Sequence, residues 1–547
     1  MTDTQHEQTS SRMPGESAPR PSMVWDAWGI PAGHAPLPER IRTLLAQVFG
    51  VSGEPVARRD EGDVPLRDST LTAAGLAGLS AVVGADHVSV DHRDRLLHAG
   101  GKSTPDLLRR REDGPQNAPD AVVYPADHEQ VVAVLAQCAA QGFAVVPFGG
   151  GTSVVGGVDP VRDRFDAVIA LDLRRLDTVS EVDPVSGTAT LGAGLTGPQA
   201  EKILGEYGLS LGHFPQSFEF ASIGGFAATR SSGQASAGYG RFDDMIQRML
   251  IATPGGSLAL GRAPASAAGP DLRELFAGSE GTLGVITAVT LRVHPVPETV
   301  AYQAWSFPDF ATGAAALRTV VQAGAAPTVL RLSDEAETGL NLARSGDVGG
   351  ESVTGCLAIT TFEGSAAHVA ARTAEATALL ATAGGTALGE HPAREWERGR
   401  FAAPYLRDAL LDVGILCETL ETATSWSNLS RLKAEVTAAL TDSLSAQGTP
   451  ALVMCHISHT YPTGASLYFT VVAKQLDDPI GQWLRAKRAA GDAIAAAAGT
   501  ITHHHAVGTD HRPWLPAEIG DLGIEVLRAV KAAVDPVGIL NPGKLIP

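Results

Sequence analysis

Along the middle of the chain, short apolar runs and one helical repeat follow each other in a strand–helix–strand rhythm. Ala121-Val122-Val123-Tyr124 predicts a strand. Asp127 and Gln130 stand three apart before Val131, Val132, Val134 and Leu135, as in a capping box, so a helix is expected to begin there. Gly142 is placed to end it. Phe143-Ala144-Val145-Val146-Pro147 predicts a second strand that runs straight into a glycine cluster, and Val168-Ile169-Ala170-Leu171 predicts a third. Thr196-Gly197-Pro198 opens a helix expected to end near Gly208. From about Glu298 to Thr500 the texture changes. Strands such as Ser466-Leu467-Tyr468-Phe469-Thr470-Val471-Val472 alternate with Ala-rich helices, which predicts a second domain. Before Gly114 short helical stretches mix with turns, and Arg109-Arg110-Arg111-Glu112-Asp113-Gly114 reads as a charged linker. No internal repeat is visible.

A length of 547 residues exceeds what one hydrophobic core holds, so two or three domains are expected. The net charge of -18 repels phosphate backbones and anionic bilayers, which argues against a nucleic-acid partner. Cys138, Cys356, Cys417 and Cys455 are widely spaced and form no CxxC pair, against a zinc ribbon or a disulfide framework. A reducing, cytoplasmic home is the simplest expectation. Residues 1–22 are polar, lack the apolar stretch of a secretory signal and read as a disordered tail. No apolar stretch is long enough to span a membrane, and Leu545-Ile546-Pro547 is not a peroxisomal address.

The glycine cluster is the first candidate chemistry. Pro147-Phe148-Gly149-Gly150-Gly151-Thr152-Ser153 follows a strand, and consecutive glycines let backbone N–H groups turn inward around an anion with no Cβ in the way. Thr152 and Ser153 add hydroxyl donors, so a diphosphate suits the loop. It is neither G-x-G-x-x-G nor a Walker loop, and a tight surface turn is the plain alternative. Three later stretches repeat the idea of small residues at element ends. They are Gln216-Ser217-Phe218-Glu219-Phe220-Ala221-Ser222-Ile223-Gly224-Gly225 running on to Thr229-Arg230-Ser231-Ser232-Gly233; then Gly278-Ser279-Glu280-Gly281-Thr282-Leu283-Gly284-Val285-Ile286; and finally Asp535-Pro536 with Gly538-Ile539-Leu540-Asn541-Pro542-Gly543-Lys544.

Together and in this order, these stretches resemble FAD proteins of the vanillyl-alcohol-oxidase type. The resemblance implies an α+β fold: a two-subdomain PCMH-type FAD-binding domain over residues 114–297, joined to an α+β cap or substrate domain with an antiparallel sheet over 298–500. An N-terminal helical region, 23–113, precedes them, and a C-terminal segment, 501–547, completes the active site. The first loop would take the FAD diphosphate, and the two later stretches would wrap the ribityl chain and isoalloxazine. None of these stretches offers the His or Cys through which many members attach flavin, so the FAD is expected to be non-covalent.

His503-His504-His505 is the most unusual short string. Imidazoles suit proton handling near neutral pH. Three in a row cannot share one face of a strand or helix, so they look like poor joint ligands and no metal is expected. His456 and His459, three apart on an expected strand, would point to opposite faces. Thr502 to Gly508 with Trp514 resembles the histidine-triplet segment of the alkyldihydroxyacetonephosphate synthase family. Tyr461 to Phe469 is similar to that family's strand with its active-site tyrosine, which falls on Tyr468. Pro404-Tyr405-Leu406-Arg407-Asp408 resembles the segment with the substrate-anchoring arginine, giving Arg407, and Thr328-Val329-Leu330-Arg331-Leu332 resembles one with a second sensitive arginine, Arg331. Trp25 and Trp28-Gly29 match the family's opening motif. The sequence departs from the family at Ala506, where Gly is expected, at Thr509, where a basic residue is expected, and at Cys455 to His459.

This resemblance implies a transferase of ether lipid synthesis. Acyl-dihydroxyacetone phosphate would lose its fatty acid and gain a long-chain alcohol through a flavin N5 adduct. Tyr468 and the histidines would move a proton, and Arg407 would hold the phosphate. The expected partner is a lipid-like small molecule, with peripheral membrane contact at most, and a homodimer is compatible with the chain. The alternative is an FAD-dependent D-2-hydroxy-acid oxidoreductase of the lactate or glycolate type, in which an Arg holds the carboxylate and a His takes the hydroxyl proton. A non-catalytic FAD scaffold is a third reading, against which the histidines and Tyr468 speak.

Overall fold

A computed structural model describes residues 22–51, 54–55, 58–112, 114–341, 348–349 and 353–547. Apart from Ser22, the expected disordered tail lies outside the described residues.

The first half of the chain builds two small sheets and a two-stranded ribbon. Strands β1 (Val88–Ser89), β2 (Ala121–Val123), β3 (Phe143–Phe148) and β4 (Ala167–Asp172) form a sheet in the order β1-β2-β4-β3. β2 and β3 both run parallel to β4. β4 is buried along its whole length, as expected for a parallel strand covered on both faces. The crossover helix His128–Gln141 starts where the Asp127 carboxylate accepts from the Gln130 N–H at 2.8 Å and stops at Gly142, whose φ of 69° only glycine adopts freely. Its Val131, Val134, Leu135 and Cys138 are buried in the sheet's core. The second sheet is antiparallel, in the order β5 (Val179–Asp183), β6 (Thr188–Gly192), β10 (Val285–Arg292), β8 (Ile246–Thr253), β9 (Gly256–Leu260). The helix opened by Thr196 is shorter than expected. It covers Gly197–Gly205, and hydrogen-bonded turns carry the chain to Gly208. β7 (Leu209–Ser210) and β11 (His294–Pro295) pair beside it.

The second half is one seven-stranded sheet in the order β15-β12-β14-β13-β17-β18-β16, antiparallel throughout. Its strands are β12 (Thr299–Phe307), β13 (Val329–Ser333), β14 (Cys356–Gly364), β15 (Thr386–Gly389), β16 (Ile415–Ser425), β17 (Ala451–Ile457) and β18 (Gly464–Lys474). Residues alternate between faces. Leu467, Phe469, Val471 and Ala473 of β18 join Leu416 and Leu420 of β16 in the large core beneath helices Phe310–Gln322, Leu429–Ala446 and Pro479–Ala496. The opposite face carries Tyr468, Thr470 and Val472 and looks toward the first half of the chain.

The charged run does not begin as a linker, for residues 109–111 are helical; Asp113 lies outside the described residues. Thr104–Arg111 is a helix whose Leu107 and Leu108 belong to the large core. Arg110 is buried and donates to the Trp25 carbonyl, and Arg111 pairs with Asp412 at 2.8 Å. Arg109 stays exposed, but charge in sequence does not imply exposure where, as at Arg110 and Arg111, the guanidinium finds an acceptor inside the fold. The tail returns to the first sheet: Val145 donates to the Ile539 carbonyl and Asn541 donates to that of Val145, both at 2.8 Å.

Candidate active site

One cavity of about 400 Å³ joins the two halves. On one side lies the loop after β3. Its glycines are required by close approach as much as by an anion. A Cβ on Gly150 would stand 2.4 Å from the Phe220 carbonyl oxygen, and one on Gly149 would stand 2.3 Å from the Ser222 hydroxyl. Gly151 has a φ of 67°. The loop and the 216–222 stretch therefore pack against each other with bare backbone, leaving a slot lined by small side chains.

Of the residues expected to touch flavin, the cavity is lined by 147–153, Gln216, Ser217, Ala221, Ser222, Gly224, Gly225, Thr229, Ser231, Ser232, Glu280, Gly281, Gly284, Val285 and Ile286. The remainder serve the walls. Arg230 pairs with Asp243 and Glu274. Phe218 stacks on Phe401 of the second half with centroids 5.6 Å apart, and Phe220 meets the Trp28 ring edge-on. Burial raises the Glu219 carboxyl above its ordinary range. Gly278 turns with φ 82°, Thr282 donates to the Ser279 carbonyl, and Leu283 is in the core of the second sheet. A long slot between glycine-rich backbones, with N–H groups and hydroxyls but no covalent anchor in the lining stretches, fits FAD. Acid precipitation of the native protein is expected to release its flavin to the supernatant. Flavin that pellets with the protein would refute non-covalent binding.

The opposite wall is the free face of β16, β17 and β18. Register pairs Glu421 with Tyr468 and Tyr468 with His456, then Thr419 with Thr470 and Thr470 with Met454, then Cys417 with Val472. The face thus grades from ionisable to hydroxyl to apolar along the strands. The apolar end continues into a cluster with Leu410, Val413, Ile41 and Leu45. At the polar end, the Tyr468 ring stacks on His456 at 4.9 Å and faces His504 at 6.1 Å, and its hydroxyl donates to Thr419 at 3.0 Å. Burial pushes the phenol up to about 12, with the carboxylates of Glu418 and Glu421 adding to it against the Thr419 hydroxyl.

The histidine triplet lies on a loop, so the one-face argument does not apply to it. His503 Nδ1 and His504 Nδ1 share a hydrogen bond at 2.9 Å. His459, beyond the end of β17 and not on it, brings a ring nitrogen within 4.8 Å of both. Two of the triplet, His503 and His504, thus converge with His459, which the one-face expectation did not allow for; His505 and His456 are not part of that group. His503 Nε2 is engaged by the Tyr461 hydroxyl at 2.6 Å, so both its nitrogens are occupied. Burial is the main cause that lowers all three triplet imidazoles, His505 to about 3, with neighbouring charges secondary. The loop is clamped from both halves of the molecule. Glu421 accepts from the amides at 503–505, and Glu280 accepts from Val507 N at 2.9 Å and Gly508 N at 2.7 Å. Between them Ala506 takes φ 75°, a left-handed conformation that explains why glycine would suit this position.

Arg407 lines the cavity from helix Ala403–Asp412. Its Nε and Nη2 donate to Asp408 at 3.1 and 2.9 Å, and Nη1 donates to the Lys102 carbonyl at 2.7 Å. Three of its N–H groups are thereby fixed, and the others remain available to an anion. Arg331 also lines the cavity. It pairs with buried Glu337, lies 3.0 Å from His456 Nδ1, and its Nε is buried with no protein partner. The sequence reading missed Glu421, Glu337, Thr419 and the convergence of His459. A glutamate recurring at 418 and 421 in a Thr-rich strand, the second opposite a tyrosine, was the available signal for the first.

A flavin slot facing a graded sheet face with buried Tyr, His and Arg groups defines an FAD-dependent enzyme. Comparison with known proteins agrees. Residues 119–260 match the model of an FAD binding domain, and residues 296–545 match that of the C-terminal domain of FAD linked oxidases. The chain is 36% identical over 483 residues to an alkyldihydroxyacetonephosphate synthase of Dictyostelium discoideum, covering 84% of this chain and 79% of that protein. A solved alkyldihydroxyacetonephosphate synthase superposes with a TM-score of 0.81 at 30% identity, covering 96% of this chain and 99% of the other. A mitochondrial D-lactate dehydrogenase (cytochrome) of Arabidopsis thaliana is 28% identical, covering 84% of this chain and 78% of that protein. The chain belongs to the alkyldihydroxyacetonephosphate synthase family. Its fold is the PCMH-type FAD-binding domain with an antiparallel α+β cap.

Proposed function

We propose that the protein exchanges the acyl group of acyl-dihydroxyacetone phosphate for a long-chain alcohol. The observation that carries this reading is the grading of one sheet face, from Tyr468 and Glu421 through Thr419 and Thr470 to Cys417, Met454 and Val472. A small hydroxy acid needs only the polar end. A lipid with a polar head and an alkyl tail uses the whole face. Bound FAD supplies the covalent handle at N5 on which the exchange depends. The chain's own residues do the rest. Arg407 offers its remaining N–H groups to the phosphate, in the fork geometry that suits such anions. Tyr468 and the triplet take a proton from the substrate carbon and return it. These groups are buried or half-buried in the cavity wall, which restricts the access of water to the acyl-bearing carbon. Among the described residues no helix is long and apolar enough to cross a membrane, so contact with lipid would be peripheral.

The test is anaerobic mixing of the holoenzyme with acyl-dihydroxyacetone phosphate and hexadecanol, and separately with D-lactate. We expect free fatty acid and an ether product from the first, with no lasting reduction of the flavin by the second. Sustained bleaching by D-lactate without any exchange would replace this reading with the hydroxy-acid oxidoreductase.

A further inference from the structure

Glu421 is the least expected group in the site. It sits in the middle of β16 directly opposite Tyr468 and is buried, with 1% of its surface exposed. Its two oxygens accept from the Thr502 hydroxyl at 2.6 Å and from three consecutive backbone amides, those of His503, His504 at 3.1 Å and His505 at 2.8 Å. One carboxylate thus supplies the acceptors that a strand or helix would otherwise give these three amides. Its oxygens also lie 3.7 Å from His504 Nδ1 and 3.8 Å from His505 Nδ1. Removing a carboxylate so placed strands three amides, one buried and two half-buried.

We propose that Glu421 is the positioning residue and counter-ion of the histidine triplet, folding residues 502–505 around itself and balancing the positive charge when one imidazole takes the substrate proton. This rests on the proposed function in assigning proton transfer to the triplet. The balance is simple: the C–H proton passes to a neutral imidazole, the electron pair it leaves is held as the enolate of the neighbouring ketone, the imidazolium is paired with the Glu421 carboxylate, and a proton returns from the exchangeable imidazolium to carbon with no net redox change. Without an anion, an imidazolium here would be unpaired in a dry site. It would face His459 and Arg241 on one side and Lys487 and His511 on the other, while Tyr468 lies across the sheet. Burial opposes charge on Glu421 as well, and charged imidazoles beside it would hold the carboxyl well below its ordinary range. With the imidazoles neutral, the Thr502 hydroxyl and the three backbone amides still donate to it and favour the carboxylate.

The experiment compares Glu421→Gln and Glu421→Asp holoenzymes with the native one. Glu421→Gln keeps the size but not the charge. The acid limb of the kcat/KM profile, which reports protonation of the triplet, is expected to move to lower pH by roughly 1–3 units, the shift typical of losing an opposite charge at this range. The same downward shift should appear in the resting enzyme by NMR titration of labelled histidine, with His504 assigned through His504→Gln. That measurement needs no substrate. If the native enzyme fails to turn over acyl-dihydroxyacetone phosphate, the functional reading falls while the titration still decides the role of Glu421. Glu421→Asp keeps the charge but retracts it, so the limb should stay near its native pH while turnover falls on the order of tenfold through misplacement of the loop. A His504 titration unmoved or raised in Glu421→Gln would overturn the counter-ion role. Native turnover in Glu421→Asp would overturn the positioning role, even should the Gln variant not fold.

Discussion

Tyr468→Phe is expected to lower the exchange rate by about 10²–10⁴-fold while leaving FAD content at the native level. The hydroxyl and the ring of Tyr468 have separable roles. The ring is held by His456 at 4.9 Å and by the flanking strands β16 and β17, and phenylalanine preserves all of that. The hydroxyl makes one protein hydrogen bond, to Thr419, so its loss should change folding stability by only about 1 kcal/mol. A 10²–10⁴-fold loss is about 3–5 kcal/mol in the barrier, well beyond that. A phenol raised to about 12 is protonated at working pH and so acts first as a donor or relay, with the neutral imidazoles facing it as acceptors. The decisive readout is the washing-in of solvent deuterium at the substrate carbon, followed by mass spectrometry alongside fatty-acid release. Undiminished washing-in by Tyr468→Phe would remove the phenol from the proton path.

How far the sequence could reach is visible at individual residues. The helix 128–141 was legible because its start and stop are local: a carboxylate bonded to the third amide and a glycine at positive φ. The cofactor slot was legible because close backbone approach demands glycine, and clustered glycines survive in the sequence as a pattern. Arg110 was misread, since its acceptor is a carbonyl 85 positions away that no local pattern encodes. The histidine triplet was seen but its geometry was misjudged. The period-2 rule holds for strands, whereas this loop is shaped by Glu421 and Glu280, which lie more than 80 and more than 220 positions upstream. Long-range polar clamps of this kind leave only a charged residue inside a mostly apolar and threonine-rich strand, as Glu421 does between Leu420 and Thr422.

Blocking the graded face at two depths should cut the accepted chain length at two different points. Thr470 lies two residues beyond Tyr468 on β18 and Val472 four, so their side chains stand roughly 7 and 13 Å from it along the strand. Both line the cavity together with Met454, Cys417, Leu406 and Leu410. A tryptophan at 470 should therefore stop the tail near the head group, and one at 472 should stop it farther along. Each methylene kept out of the apolar end loses about 0.8 kcal/mol of burial, so excluding four costs about 3 kcal/mol, on the order of a 10²-fold drop in kcat/KM for the long substrate. Short-chain substrates that end before the block should keep near-native values, which separates obstruction from general damage. Overpacking costs about 1–3 kcal/mol of stability, so the comparison is made within each variant across a series of acyl lengths, where that cost cancels. The discriminating result is the order of the two cut-offs: Thr470→Trp must fail at a shorter chain than Val472→Trp. Equal cut-offs, or chain-length profiles that match the native enzyme, would show that the tail leaves the site by another route and that the apolar end of this sheet face is packing alone.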